Sequence, residues 1–497
     1  MKRIYTILML CILAVSMKMQ AVEVTVNAGT LESAIKDKTV TELKVNGVID
    51  ARDIKFIADE MPAITTLDLS GVKVEAYSST VSLFAGETTY AADALPAYCF
   101  FDKGYKVVNL PSTLKYVGEG AFAGCRALQA VAFPVELDSI GAYAYSACDA
   151  ITAVTLPTTL KKADVGAFSR CEALKNVDLS ALQYCVLGSD VFANCAALET
   201  VKISANLTAV PAGAFACCGA LKTVEFAGES RLESIGEDAF MSTSLKEFDF
   251  EACPKLKVIG RWAFAGVKLE NVEIPLTVES LGEGAFFYNE ELRKITLNEK
   301  VTEISDFVLA GCNNLSGRVK LSYDATTVGR YAFSDTQLSE VYMGHSLTRI
   351  GDRAFENNAA VLEMSIETVE APALGEAVFE GMDQPNVRLN VVSEAVASYK
   401  AAEQWKEFNI VGDLSTIENV INTSNVKVYF TDRVLNVTAS ETIAVVNVYE
   451  AGGVLLASRC SDEMSVSIDM SGMGGNLYIV TVKTVGGKYD TFKLIRQ

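Results

Sequence analysis

The chain has 497 residues, 50% of them hydrophobic and 21% charged, which allows a large buried core and excludes a disordered or low-complexity protein. Its single histidine, His345, rules out paired-histidine zinc sites and confines any Ser/His/Asp triad to that one position. With 43 basic against 62 acidic side chains the net charge is −19, a sign that repels phosphate backbones, so nucleic acid is not an expected partner.

Met1-Lys2-Arg3, the apolar run Ile4 to Val15 and the stretch Ser16 to Ala21 have the three-part layout of a secretory signal peptide, so residues 1–21 are expected to direct export and to be removed after Ala21, with Ser16 as the alternative cleavage position. The run is too short for a membrane span, which needs about 20 apolar residues. Cys11 lies in the middle of it with no small residue just before, so no lipid anchor is expected. Residues 22–77 read as an N-terminal cap: Asp50 is placed to N-cap a helix carrying Ile54, Ile57, Ala58 and Met61, and Ile64 to Ser70 follows as a strand. Residues 78–94 read as a longer loop.

Over 78–392 the sequence repeats. Leu232-Glu-Ser-Ile-Gly-Glu-Asp-Ala-Phe240 returns as Leu256-Lys-Val-Ile-Gly-Arg-Trp-Ala-Phe264, and again at Val278 to Phe286 and Leu347 to Phe355. The closing aromatic marks thirteen turns from Phe100 to Phe379, a mean period of about 23 residues. A second apolar string, L-x-x-V-x-L, follows most markers, as in Leu128 to Phe133 and Leu269 to Ile274, and its alternation predicts a short strand closed by proline. One repeat offers about six inward apolar side chains, worth roughly 10–15 kcal/mol gross, against about 1.5 kcal/mol of ordering entropy per residue. A single turn therefore cannot fold alone, and stacked turns must share their apolar faces. The glycine after the isoleucine (Gly118, Gly141, Gly236, Gly260, Gly282, Gly329, Gly351) predicts either a positive φ or a close backbone approach.

The pattern I-G-x-x-A-F-x-x-C-x-x-L-x-x-V-x-L-P resembles the BspA-type leucine-rich repeat of bacterial surface proteins over about 300 residues. The resemblance implies a solenoid of short parallel strands and turns, and an adhesive or partner-binding role. It departs at Val301 to Leu309, which loses both glycine and marker phenylalanine, and at Leu315 to Leu321, where the strand gains a residue.

Periodicity aligns side chains into columns. Cys125, Cys148, Cys171, Cys195, Cys218 and Cys312 each lie three residues after a marker, which predicts a ladder of buried free thiols, not a metal site. Ala132, Thr155, Asp178, Lys202, Glu225, Asp249, Glu273, Thr296, Lys320, Tyr342 and Ser365 occupy the outward strand position. A neighbouring column, Lys175, Glu199, Lys222, Lys246, Glu270 and Arg293, mostly alternates in sign, as suits pairs about 4.8 Å apart. Within the outward column Glu225, Asp249 and Glu273 place like charges on successive turns; they are the candidate partner-binding residues, set against the plainer reading of a solvated surface.

Residues 393–412 read as a capping helix in which Val396, Tyr399 and Trp405 cover the last turn, and 413–425 as a linker. The period then changes to two, so 426–497 reads as a small β-sandwich with Gly452-Gly453 in a hairpin turn. Val446 to Leu455, Asn476 to Val482 and Phe492 to Gln497 resemble the C-terminal sorting domain of type IX secretion cargo, with Gly475-Asn476-Leu477-Tyr478 in place of the usual G-x-Y.

No cofactor or metal is expected and no catalytic residue is assigned: no phosphate-binding glycine loop is present, and His345 reads as a surface loop residue. The expected function is binding of a host or microbial surface macromolecule, foremost a protein, by an exported cell-surface chain with no transmembrane segment. The alternative is a glycan-binding or polysaccharide-processing surface protein, which exposed aromatic rings on the strand face would favour. A purely structural envelope protein is the third reading.

Overall fold

The computed structural model describes residues 21–414, 421–423, 426–431, 434–450, 455–470, 477–486 and 489–495. Residues 1–20 of the signal segment, Cys11 among them, the Gly452-Gly453 turn, Gly475-Asn476 and most of the 413–425 linker lie outside the described residues. No helix among those described is long and apolar enough to cross a membrane.

From Ala21 to Leu414 the chain winds as a parallel-strand solenoid. Each regular turn contributes two short strands. The L-x-x-V-x-L string supplies one, as in Ala153–Thr155, Asn176–Asp178, Thr200–Ile203 and Thr223–Phe226, which pair in parallel and in register. The residues before the repeated glycine supply the other, as in Tyr116–Val117, Ser139–Ile140 and Lys162–Ala163, also parallel. The valine, leucine and isoleucine of both strands point between the two sheets, where one continuous core runs from Val26 to Phe408.

The marker aromatics form the spine of that core. Phe122, Tyr145, Phe168, Phe192, Phe215, Phe240, Phe264 and Phe286 stack at centroid separations of 5.2 to 5.8 Å, with planes within 16° of parallel. The stack stops at Leu309 and resumes through Phe333, Phe355 and Phe379. At the same departure Ser305 replaces the glycine and its hydroxyl donates to the Leu281 carbonyl at 2.6 Å. Near Leu315 the register shifts: Gly317 pairs with Leu338 and Arg318 with Glu340, so Ser339 of the facing strand is left over.

The repeated glycines serve close approach. A Cβ on Gly141 would lie 2.6 Å from the Glu119 backbone nitrogen, and one on Gly282 2.4 Å from that of Arg261, so any side chain there would push successive turns apart. Positive φ falls elsewhere, two residues before and two after each marker, as at Tyr143 (54°) and Ala147 (55°) around Tyr145. These left-handed residues turn the chain tightly on either side of the inward ring.

The thiols behave as a hydrogen-bonded ladder. Cys125, Cys148, Cys171, Cys195, Cys218 and Cys312 are fully buried and unpaired, and each Sγ–H donates to the marker carbonyl of the preceding turn at 3.1 to 3.3 Å. Asn289 and Asn358 do the same with their amides, donating to the Phe264 and Phe333 carbonyls at 2.7 and 2.8 Å. Burial pushes the Cys125 and Cys312 thiols up to about 12. Burial also raises Cys148, and contact with the neighbouring thiol is the first cause raising Cys195 and Cys218.

At the N-terminal end Asp50 caps the helix Ala51–Glu60 in a capping box with Asp53, whose carboxylate also accepts from the Gly29 and Leu31 backbone. At the other end the helix expected over 393–412 is shorter. Only Val396–Ala401 is α-helical, Gln404 turns left-handed (φ 61°), and Asn409–Leu414 returns as a strand parallel to Arg388–Val392. Ile410 and Leu414 pack against the core from that strand, so Asp413 and Leu414, assigned to the linker, belong to the sheet. Trp405 is fully buried against Phe379 at 5.1 Å and donates its indole N–H to the Pro372 carbonyl.

The C-terminal unit has two four-stranded antiparallel sheets. Ile421–Thr423, Val426–Thr431, Val434–Ala439 and Ser465–Asp469 form one, and Leu455–Cys460, Ile443–Glu450, Leu477–Thr484 and Tyr489–Ile495 the other. Val428, Leu435, Val437, Val446, Val448, Val480 and Phe492 share a core separate from that of the solenoid.

Candidate binding face

The alternation of the strands turns every second side chain out of the core. Ala132, Thr155, Asp178, Glu225, Asp249, Glu273 and Thr296 are exposed, as the outward column requires, and Lys202 and Lys320 are half-buried. Glu225, Asp249 and Glu273 do not form a continuous ladder of like charges, however. The sheet that begins at Ala153 ends with Thr223–Phe226, the next pair is Asn271–Glu273 with Lys294–Thr296, and Asp249 lies in the unpaired turn between them. Its carboxylate accepts from the Ala252 backbone at 3.0 Å.

The physical reason is steric. Phe248 occupies a position that other turns fill with valine, isoleucine or methionine, and the rings of Phe248 and Phe250 pack edge-on against Phe226, Phe240 and Phe264 at 5.1 to 5.7 Å. Glu225 instead sits in register with Lys202, which is itself in register with Asp178, so signs alternate along that part of the face. Hydrogen bonds from Ser180, helped by Lys202, hold the Asp178 carboxyl below its ordinary range. In the adjoining column Lys246 and Glu270 pair at 3.4 Å.

Two residues expected to face outward are covered. Tyr342 is 4% exposed and Ser365 is buried beside Asn390, whose amide donates to it at 3.2 Å. Tyr342 lies edge-on to Tyr323, which meets Tyr429 of the C-terminal unit at 5.0 Å, and the three rings form a small cluster of their own. Lys320 lies 4.1 Å from the Tyr323 ring and pairs with Glu299 at 2.9 Å, while Lys427 approaches the same ring from the C-terminal side at 4.9 Å. The Tyr342 hydroxyl donates to the buried Glu367 carboxylate. The strand face is thus open over Ala132 to Thr296 and roofed around Tyr323 and Tyr342.

Tyr429 and Lys427 were not singled out by the sequence. Their only signal was the alternation Val426-Lys-Val-Tyr, which places both on one side of a strand. Tyr429→Ala is expected to speed hydrogen exchange in Gln337–Met343 and leave Asn176–Asp178 unchanged. Unaltered exchange near Tyr342 would show that the tyrosine contact does not hold the two units together. His345, half-exposed and 3.7 Å from Asp324, lies in a surface turn.

A family model described as the BspA type leucine-rich repeat region matches residues 93–222, 182–256 and 233–362, together more than half of the chain. The chain belongs to the BspA-type leucine-rich repeat family. A solved leucine-rich repeat protein from Bacteroides ovatus has the same fold, with a TM-score of 0.54 at 20% identity over 78% of this chain and 92% of that one. Two further structures are more distant: a leucine-rich repeat protein from Eubacterium ventriosum (TM-score 0.42, 20% identity, 68% of this chain and 88% of that one) and a leucine-rich cell surface protein from Faecalibacterium prausnitzii (0.35, 18%, 66% and 84%). No curated protein sequence matches the chain. In the BspA-type repeat of this chain the inward positions are mainly apolar, with Asn289 and Asn358 in the thiol column, while the outward ones carry both signs of charge and neutral side chains.

Proposed function

We propose that this chain is an exported, cell-surface BspA-type protein that binds another macromolecule, a protein of a host or a neighbouring microbe, through the open strand face from Ala132 to Thr296. One observation carries the reading: successive turns stacked on a continuous, mainly apolar core present Asp178, Lys202, Glu225, Asp249 and Glu273 outward on one face. A stacked scaffold that is fixed inside and chemically free outside is suited to recognition over several turns.

In this reading residues 1–21 direct export, and the helices Ala51–Glu60 and Val396–Ala401 close the two ends of the solenoid. The C-terminal unit is a small β-sandwich that resembles a type IX sorting domain. No catalytic role, cofactor or metal is assigned. The glycan-binding alternative wants exposed rings on this face, and the one aromatic of the outward column, Tyr342, lies under the tyrosine cluster.

The test is the triple variant Glu225→Lys, Asp249→Lys, Glu273→Lys, measured by biosensor against matrix proteins and glycans. Folding should persist, because all three side chains are exposed, while affinity for a cationic partner falls about tenfold or more and its salt dependence weakens. Unchanged affinity and salt slope for every ligand found would place binding on another surface.

A further inference from the structure

The turns that follow the second-sheet strands carry aromatic rings that neither the core nor the backbone calls for. Two residues before each marker the chain is left-handed, and glycine or aspartate fills that position at Gly120, Gly166, Asp190, Gly213 and Asp238. These residue types adopt the conformation at least cost. Trp262, Phe307 and Tyr331 also take it, but they are half-buried and lie 5.1 to 6.3 Å from one another along the row. Tyr98 (φ 55°) and Tyr143 (φ 54°) are different, being 40% and 46% exposed. Each ring lies across the glycine of the next turn. A Cβ on Gly120 would lie 2.3 and 2.5 Å from Cε1 and Cδ1 of Tyr98, and one on Gly166 2.5 and 2.6 Å from the same atoms of Tyr143.

This shared contact sets the two rings in the same orientation. Their turns follow the strands Ala94–Leu95 and Ser139–Ile140, which flank Tyr116–Val117 in one ladder, so the rings are two steps apart, about 10 Å. Phe101, also exposed, stands at 66° to Tyr98 at 6.1 Å and widens the apolar surface. On the intervening turn Glu119 accepts from the Tyr98 hydroxyl at 2.5 Å.

We infer that Tyr98 and Tyr143 form a platform for a neutral glycan, an extended chain of β-1,4-linked pyranoses. This site is separate from the open strand face and goes beyond the function proposed for that face. Aromatic faces are electron-rich, and the polarised C–H groups on the flat side of a pyranose stack on them. In an extended β-1,4-linked chain each sugar is turned over relative to the last, so every second one presents the same side, at a repeat close to the two-turn spacing of the tyrosines. A helical α-1,4-linked chain curves away from this register. The Glu119 carboxylate repels an acidic chain and keeps lone pairs for the hydroxyls of the sugar between the rings.

Isothermal titration calorimetry on the full chain with cellohexaose and maltohexaose tests this. Cellohexaose should bind about tenfold more tightly or better, with an affinity unchanged by added salt, since the contact is not ionic. Tyr98→Ala and Tyr143→Ala should each weaken it about tenfold, the loss expected for one stacking partner, while Tyr143→Phe, which keeps the ring, should bind as the native chain does. The strand-face variant Glu225→Lys, Asp249→Lys, Glu273→Lys should bind cellohexaose normally, so the two sites are tested apart. The comparison of the two sugars needs no variant to fold. No heat of binding with cellohexaose, equal affinity for both sugars, or an affinity unaltered in Tyr98→Ala/Tyr143→Ala would overturn the assignment and leave the rings as covers for the glycines beneath them.

Discussion

Raising the pH from 8 to 10 is expected to destabilise the solenoid by several kcal/mol, and the thiol ladder is the cause. Cys125 and Cys312 are held up at about 12 by burial, against about 8.5 in an unfolded chain. The folded form therefore binds more protons than the unfolded one above pH 8.5, so the stability these groups contribute is complete below that pH and is lost as pH rises toward 12. At about 1.4 kcal/mol per pH unit, each thiol accounts for roughly 2 kcal/mol by pH 10. Up to pH 10 the folded thiols keep their protons and their hydrogen bonds to the Phe100 and Phe286 carbonyls, so the loss comes from ionisation of the cysteines in the unfolded chain. Urea unfolding at pH 8, 9 and 10 should show this slope. It should flatten in Cys125→Ser/Cys312→Ser, which keeps a donor but does not titrate in this range. An identical slope in the variant would mean that these thiols ionise freely in the folded state.

Phe192→Ala is expected to cost about 3–5 kcal/mol, the range for emptying a large aromatic site in a close-packed core. Phe192 is fully buried and stacks between Phe168 at 5.5 Å and Phe215 at 5.8 Å, so the hole would lie between two rings fixed by their own turns. Phe192→Leu should cost far less, about 1.5 kcal/mol or under, since Leu309 already fills the marker position of another turn with no exposure. Denaturant midpoints of the two variants separate these outcomes. Equal costs would mean that the marker position needs an aromatic ring specifically.

What the sequence made legible was whatever repeats. A period of about 23 residues places the marker ring, the thiol and the strand of each turn without any long-range knowledge, because stacking turns each position onto its own copy. What stayed hidden was set by contacts outside the period. Lys246-Glu-Phe248-Asp-Phe250 alternates like its neighbours, and nothing in that alternation says that two phenylalanine rings will crowd Phe240 and Phe264 and break the ladder. Tyr342 reads as outward, and is outward, but its cover comes from Tyr323 and from Tyr429 in another unit. The equivalence of Asn289 and Asn358 to the thiols was likewise missed, because it lies in a shared carbonyl acceptor and not in residue type. Among the candidate residues, exposure of Glu225, Asp249 and Glu273 followed from strand parity, whereas the break at Asp249 did not.

Site-specific photocrosslinking distinguishes partners bound by the open strand face from partners bound elsewhere. A crosslinking side chain placed in turn at Glu225, Glu273 and exposed Lys257, which precedes the second-sheet strand Val258–Ile259, each in the full chain, would be irradiated with any protein partner found on the biosensor. Crosslinked complex is expected from Glu225 and Glu273 and none from Lys257. Crosslinking from Lys257 with none from the strand-face positions would contradict it.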